Sequence, residues 1–267
     1  MVEGTRAFFL VAWMWVRSSL TYRASFLITT LANLAITFLD FVVVLLMFSH
    51  VDALGGFGLA EVALLYGSAS LALGVADLLL GNVERVGERI RDGSLDVLLV
   101  RPVSIFVQVA ADRFALRRLG RVIQALGVLG WALPRVDVEW SAGAVALLVM
   151  MLVSGSVIFG AVFVLGSSFQ FWAQDAAQVQ NAFTYGGGVL LQYPPTIFPR
   201  ELVRGVTFVL PLAFVNWLPA LRLLGRDDPL GLPGWVDFLS PLVALVLSGL
   251  TALVWRSAVR SYRSTGS

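Results

Sequence analysis

The sequence predicts an all-α polytopic membrane protein. Six transmembrane helices, an N-terminal interfacial helix and an outer re-entrant helical hairpin form a single domain over residues 1–267. Three observations carry this. First, 58% of the 267 residues are hydrophobic and only 13% are charged, against about 25% charged in soluble domains. Mean hydropathy is +0.84, and a soluble domain of this length cannot hide so much apolar surface. Second, the apolar residues fall into runs of membrane-spanning length, about 20 residues each. Third, the arginines cluster in segments that one side of a membrane can share.

The elements follow in order. Ala7 to Val16 is an apolar run flanked by Arg6 and Arg17. It is too short to span and has no signal-peptide exit site. It reads as an interfacial helix within residues 1–23, with Trp13 and Trp15 at headgroup depth. The first span is about Ala24 to Phe48 and the second about Leu59 to Leu80. Residues 81–112 form the strongly charged cytoplasmic loop. The third span runs from about Phe114 to Leu133 with its arginines at the start, and Pro134 to Glu139 make a polar turn. The fourth span is about Ala142 to Leu165. The semi-polar stretch Gly166 to Asn181 leads into a fifth, completed by Ala182 to Leu191. The last is about Trp235 to Trp255, followed by Arg256, Arg260 and Arg263.

Leu202 to Leu224 is apolar but interrupted by Pro211 and Pro219. As a seventh span it would place the C-terminal arginines outside, against the positive-inside rule. It therefore reads as an outer re-entrant element within 198–224, turning around Pro211. Such irregular backbone must be buried in protein or line water. Both termini are then cytoplasmic.

Composition excludes much chemistry. There is no Cys and one His, His50, so neither a thiolate site nor a His-based triad or metal centre is available. All 19 basic residues are Arg, and without Lys no P-loop can be built. Any ATP used is hydrolysed by another chain. The pI of 9.4 reflects arginines placed as a membrane protein places them, so no nucleic-acid partner is expected.

Three features are candidates for function. In the loop, Val83, Val86 and Ile90 form an apolar stripe, with Glu84, Arg85, Glu88, Arg89 and Arg91 on the other faces. Gly93 suits the left-handed position after a helix end. This helix either links two spans or docks a cytoplasmic partner. A second feature is a polar stripe of Gln170, Gln174, Gln178, Asn181 and Tyr185, with Asp175 and Gln180 beside it, ending at Gly186, Gly187 and Gly188. It is either an inter-helical hydrogen-bond seam or the wall of a translocation cavity; the glycines favour close helix packing. The third is Asp40, roughly 6 Å from the midplane by helix rise. It is either a paired or protonated structural residue or a contact for a cation or proton. Asp77 reads as an interface acid near Arg85, and His50 as a solvated loop residue.

The run Arg91-Asp92-Gly93-Ser94-Leu95-Asp96-Val97-Leu98-Leu99-Val100-Arg101-Pro102 resembles the R-x-G-(S/T)-L-(D/E)-x-L-L-x-x-P segment of type-2 ABC transporter permeases, through Gly93, Leu95, Asp96, Leu99 and Pro102. Tyr193-Pro194-Pro195-Thr196-Ile197-Phe198-Pro199 and Pro211-Leu212-Ala213-Phe214-Val215-Asn216-Trp217-Leu218-Pro219-Ala220 are similar to the Y-P-x-x-x-(Y/F)-P and P-(L/A)-A-F-x-x-x-x-P signature of one bacterial branch. The resemblance covers nearly the whole chain. It implies an exporter subunit in a bacterial cell membrane, without catalytic residues or bound cofactor of its own. Two permease subunits, identical or related, would join two ATPase subunits that bind ATP and Mg and move a drug-like, lipid or other amphipathic compound. About Val83 to Asp92 would be the coupling helix. Asp40, Gln174, Gln178, Asn181 and Tyr185 are the candidate pathway residues. A secondary transporter coupled through Asp40 would usually need more intramembrane acids and a repeat with broken helices. A membrane-embedded enzyme would have only carboxylates to work with.

Overall fold

The structure, a computed structural model, describes residues 10, 11, 13–15, 17, 21, 23–112, 115, 118–173 and 176–263. Every regular element among them is helical. At the N-terminus Leu10, Val11, Trp13–Trp15, Arg17 and Thr21 are helical, and Leu10, Trp13 and Met14 are exposed. The long helices α1 (Arg23–Phe48) and α2 (Leu59–Leu80) follow. At the head of α2 the Gly58 N–H donates to Glu61 Oε2 at 2.8 Å, which satisfies one orphan donor of the first turn.

Residues 81–112 are a folded helical segment rather than an open loop. A 3-10 turn, Gly81–Arg85, leads into α3 (Val86–Arg91), α4 (Leu95–Leu99) and α5 (Ile105–Ala111). Then come α6 (Leu119–Ala132) and α7 (Ala142–Phe169), the latter opened by Ser141, whose hydroxyl accepts from the Ala144 N–H. α8 (Ala176–Asn181), a π turn (Ala182–Gly186) and α9 (Gly187–Leu191) run on as one rod. The chain ends with α10 (Arg200–Phe208), α11 (Trp217–Leu223) and α12 (Ser240–Ser261).

α2 is the axis. It is apolar on every face, as a wholly buried helix must be, and packs on α6 and α7. α12 packs on α7 and α1 on α6. The most apolar window of α2 is 83% buried, against 17% for α1 and 28% for α12. The outer faces of α1 and α12 therefore have only lipid or another chain to meet.

Four helices among the described residues are long and apolar enough to cross a membrane, or five if the pair α10–α11 counts as one span. The third and fifth expected spans take other forms. α6 has 14 residues, about 21 Å at the helical rise, and starts after Arg118 rather than at Phe114, which lies outside the described residues. The fifth is interrupted by its π turn. At Pro211 the chain does break, and α10 and α11 meet at 80°.

The two ends of the bundle are sorted. At one end Val83, Val86, Ile90 and Val109 of segment 81–112 pack with Val164 of α7 and Trp255 of α12. At the other, the Thr196 hydroxyl donates to the Gly55 carbonyl at 2.8 Å, and Arg226 pairs with Glu61 at 2.8 Å.

Candidate functional site

The apolar stripe of the loop does not face outward. Val83 and Val86 are 0% exposed and Ile90 is 5%, all against this chain's own Leu95, Leu98 and Trp255. This corrects the expected outward stripe: a short amphipathic helix folded back on the bundle satisfies Val83, Val86 and Ile90 internally. Arg89 is also turned inward, donating from Nε to Asp112 Oδ2 at 2.9 Å and from Nη1 to the Ser94 hydroxyl at 3.2 Å. Glu84 is half-buried. Of the expected docking charges, Glu88 and Arg91 are exposed. The outward surface is instead the next turn, where Val97, Leu99 and Val100 are exposed beside Arg101 and Pro102. The signal for it was partial: Leu95 and Leu98 at i, i+3 leave Val97 and Val100 off their face, whereas Leu99, four residues from Leu95, would be expected beside it.

Gly93 follows the end of α3 at φ +70°, the left-handed conformation that a Cβ disfavours. In the family segment Leu95 is buried, Asp96 is half-buried, and Leu99 and Pro102 are exposed.

The glutamine stripe divides. Gln170 is buried and accepts from the Gly87 N–H at 2.9 Å through Oε1. Its Nε2 donates to Gln180 Oε1, also at 2.9 Å. Ser167 donates to the same Gln180 oxygen at 3.3 Å. These groups form a seam that fixes segment 81–112 to α7 and α8. Gln178 and Asn181 are exposed, Tyr185 is half-buried, and Gln174 and Asp175 lie outside the described residues. The stripe splits because Gln170 caps α7 while Gln178 and Asn181 belong to a separate helix, α8, and because the π turn 182–186 then shifts the spacing before Tyr185. Of the three glycines, Gly187 and Gly188 pack closely. A Cβ at Gly187 would lie 2.6 Å from Leu212 Cδ1, and one at Gly188 2.6 Å from Leu73 Cδ2; Gly186 has open space.

Tyr185 points into a charged cluster. Its hydroxyl donates to Asp77 Oδ1 at 3.3 Å and reaches Glu84 Oε2 at 3.5 Å. Asp77 pairs with Arg118 (3.2 Å) and Arg121 (3.8 Å), not with Arg85 as expected. Arg118 Nη1 also donates to the Asp77 carbonyl and to Asn82 Oδ1. The arginine is drawn in from the start of α6 because a buried carboxylate needs a partner more than an interfacial arginine needs water.

Beside this cluster is a cavity of about 210 Å³, lined in part by Asp40, Tyr66, Ser70, Arg121, Gln124, Tyr185 and Gln192. It brings together Asp40 and Tyr185, two of the expected pathway residues. Ser70, Arg121, Gln124 and Gln192 were not singled out from sequence, although an isolated polar residue in an apolar run is itself a signal. Gln124 Nε2 donates to the Tyr66 hydroxyl at 3.0 Å and the Thr37 carbonyl at 2.7 Å, and Gln192 Nε2 to the Ser70 hydroxyl at 3.2 Å. The wall is thus both polar and held in place. His50 is exposed at the other end, its Nδ1 3.0 Å from the Leu46 carbonyl. Among the described residues no group of three or more His, Cys, Asp or Glu could hold a metal ion.

The two proline-rich motifs meet. Trp217 Nε1 donates to the Tyr193 carbonyl at 3.0 Å, and Phe198 stacks on Trp217 with ring centroids 5.9 Å apart. Asn216 is fully buried, and its Nδ2 reaches the Leu65 carbonyl, the Ser68 hydroxyl and the Leu191 carbonyl at 3.0–3.2 Å. One side chain thereby ties α2, α9 and the start of α11.

A bundle of long apolar helices with a folded helical cap at one end and a small polar cavity within it defines a multi-pass membrane protein. A family model described as ABC-2 family transporter protein matches residues 34–266, and the chain belongs to that family. Its members are membrane transport components without an ATPase domain of their own. No curated protein matches the chain, and no solved structure does.

Proposed function

We propose that the chain is the permease subunit of an ATP-driven exporter in a bacterial cell membrane, moving a drug-like, lipid or other amphipathic compound. Two partner ATPase subunits bind ATP and Mg, and a second permease subunit, identical or related, completes the pathway. The cavity holding Asp40 and Tyr185 is this chain's share of that pathway, with the exposed Gln178 and Asn181 continuing it. The contact that carries this reading is the Tyr185 hydroxyl, within 3.5 Å of Glu84 and 3.3 Å of Asp77. Glu84 belongs to segment 81–112 and Tyr185 to the rod 176–191, so a push on one is felt by the other.

Six crossings with cytoplasmic termini fit the arginine distribution and the packing of Trp255 against segment 81–112. In this topology α6 and the rod 176–191 count as crossings, and α10–α11 is the outer re-entrant element. The ATPase docks on Val97, Leu99 and Val100, with Glu88, Arg91 and Arg101 at the rim.

Co-purification with the ATPase tests the reading. Leu99→Asp with Val100→Asp places charges in the contact and is expected to abolish ATPase association while the permease stays folded. Ile90→Asp instead buries a charge within this chain and is expected to lower the yield of folded permease. ATPase retained at wild-type level by the Leu99/Val100 variant would remove the docking surface.

A further inference from the structure

A second cavity is larger than the polar one. A groove of about 1010 Å³ runs between α2, α5, α7 and α12. On α2 it extends from Leu71 to Leu80, about 14 Å at the helical rise, and on α12 from Ser248 to Arg260, about 18 Å. One leaflet of a bilayer is about 15 Å of hydrocarbon deep. The groove is therefore about as long as one leaflet is deep, and it runs from the middle of the bundle to the end that carries segment 81–112.

Its chemistry changes along that length. The deep part is mostly aliphatic, and two of its hydroxyls are already satisfied: Ser156 donates to the Leu152 carbonyl at 2.8 Å and Thr251 to the Ala161 carbonyl at 3.3 Å. They ask for nothing from an occupant. At the mouth are Ser104, Arg256 and Arg260. The arginines are one helical turn apart on one face of α12 and exposed. Among the described residues neither is in an ion pair.

We propose that this groove is a binding site for an anionic phospholipid of the bilayer. Its acyl chains would lie along the aliphatic floor, and its phosphate would be held by Arg256 and Arg260. A hydrocarbon slot one leaflet deep, closed by two cations at headgroup level, is complementary to such a lipid at both ends; basic pockets between transmembrane helices bind anionic headgroups in this way. Arg121 and Tyr185 line the polar cavity and not this groove, so the site is separate from the pathway proposed above.

Native mass spectrometry of the full-length chain in detergent tests it, with phosphatidylglycerol and phosphatidylethanolamine of identical acyl chains as probes. Phosphatidylglycerol is expected to be retained roughly ten- to thirtyfold better, the size expected of two arginines near a lipid surface. Arg256→Gln with Arg260→Gln should erase that preference. Val157→Trp, at a groove position that is 43% exposed, should reduce retention of both lipids. Equal retention of the two lipids by the wild type would overturn the proposal. So would undiminished phosphatidylglycerol retention by Val157→Trp, or a change in that variant's oligomeric state with lipid retention intact, which would make the groove a contact between copies of the chain.

Discussion

The two ends of α2 are held by different chemistry. Toward the end that carries Glu61, Asn216 bonds the Leu65 and Leu191 carbonyls and the Ser68 hydroxyl at 3.0–3.2 Å. These are short neutral bonds, mostly to backbone that cannot move without unwinding a helix, although Asn216 Oδ1 itself has no hydrogen-bond partner among the described residues. At the other end Asp77, Arg118, Arg121, Glu84 and Tyr185 meet through side chains alone or nearly so. Several of their contacts are long, 3.8 Å for Arg121 and 3.3–3.5 Å for Tyr185. Charged groups on flexible stems can exchange partners within such a cluster at small cost, whereas a side chain locked to backbone carbonyls cannot. The contacts free to exchange are therefore at the end joined to segment 81–112, and those fixed to backbone are at the Asn216 end.

The largest expected effect tests the charged end. Asp77→Ala leaves Arg118 and Arg121 without their carboxylate, and breaking a buried pair costs about 3–5 kcal/mol. The thermal midpoint of the purified protein in detergent should fall further than for Asn216→Leu, Tyr185→Phe or Glu61→Gln. A drop no larger than that of an exposed substitution would mean that water already screens the cluster.

Asn216→Leu should cost less, about 1–3 kcal/mol, because it strips a donor from buried carbonyls without leaving a charge. Its distinguishing readout is hydrogen exchange, with protection lost around Leu65 and Leu191. Loss of protection at Asp77 instead would mean that the two ends are not mechanically distinct.

Tyr185→Phe removes one hydroxyl donor, shared over long distances between Asp77 and Glu84, and should cost only about 0.5–1 kcal/mol. Its effect belongs in transport, since it disconnects Glu84 from the rod 176–191. ATPase binding preserved with transport lost is the expected outcome, and full transport would show that the contact carries no motion.

The smallest effect is at Glu61→Gln. The Glu61–Arg226 pair has 2.8 Å geometry, but Arg226 is 42% exposed, so the loss should be about 0–1 kcal/mol and should vanish in high salt. A salt-independent loss would place this pair with the rigid neutral contacts.

Much was legible in the sequence because it follows from local chemistry. Long apolar runs mark α1, α2, α7 and α12, since lipid and buried protein both require them. Pro211 marks a break, as a missing N–H and a fixed φ must. Gly93 marks a left-handed helix end because only glycine adopts that φ without strain. Tertiary structure alone decided what each residue meets. Hydropathy reports the cost of water around a side chain and is silent on whether the alternative is lipid, this chain or another. Val86 and Ile90 therefore look the same from sequence whether they face a partner or the Leu95 and Trp255 of their own fold. A charge likewise reports its need for a counter-charge but not which one, so Asp77 was matched to nearby Arg85 when the folded chain supplies Arg118 and Arg121. Helical periodicity assumes one residue spacing throughout, and the π turn at 182–186 changes that spacing, so Tyr185 leaves the face of Gln178 and Asn181 and meets Asp77.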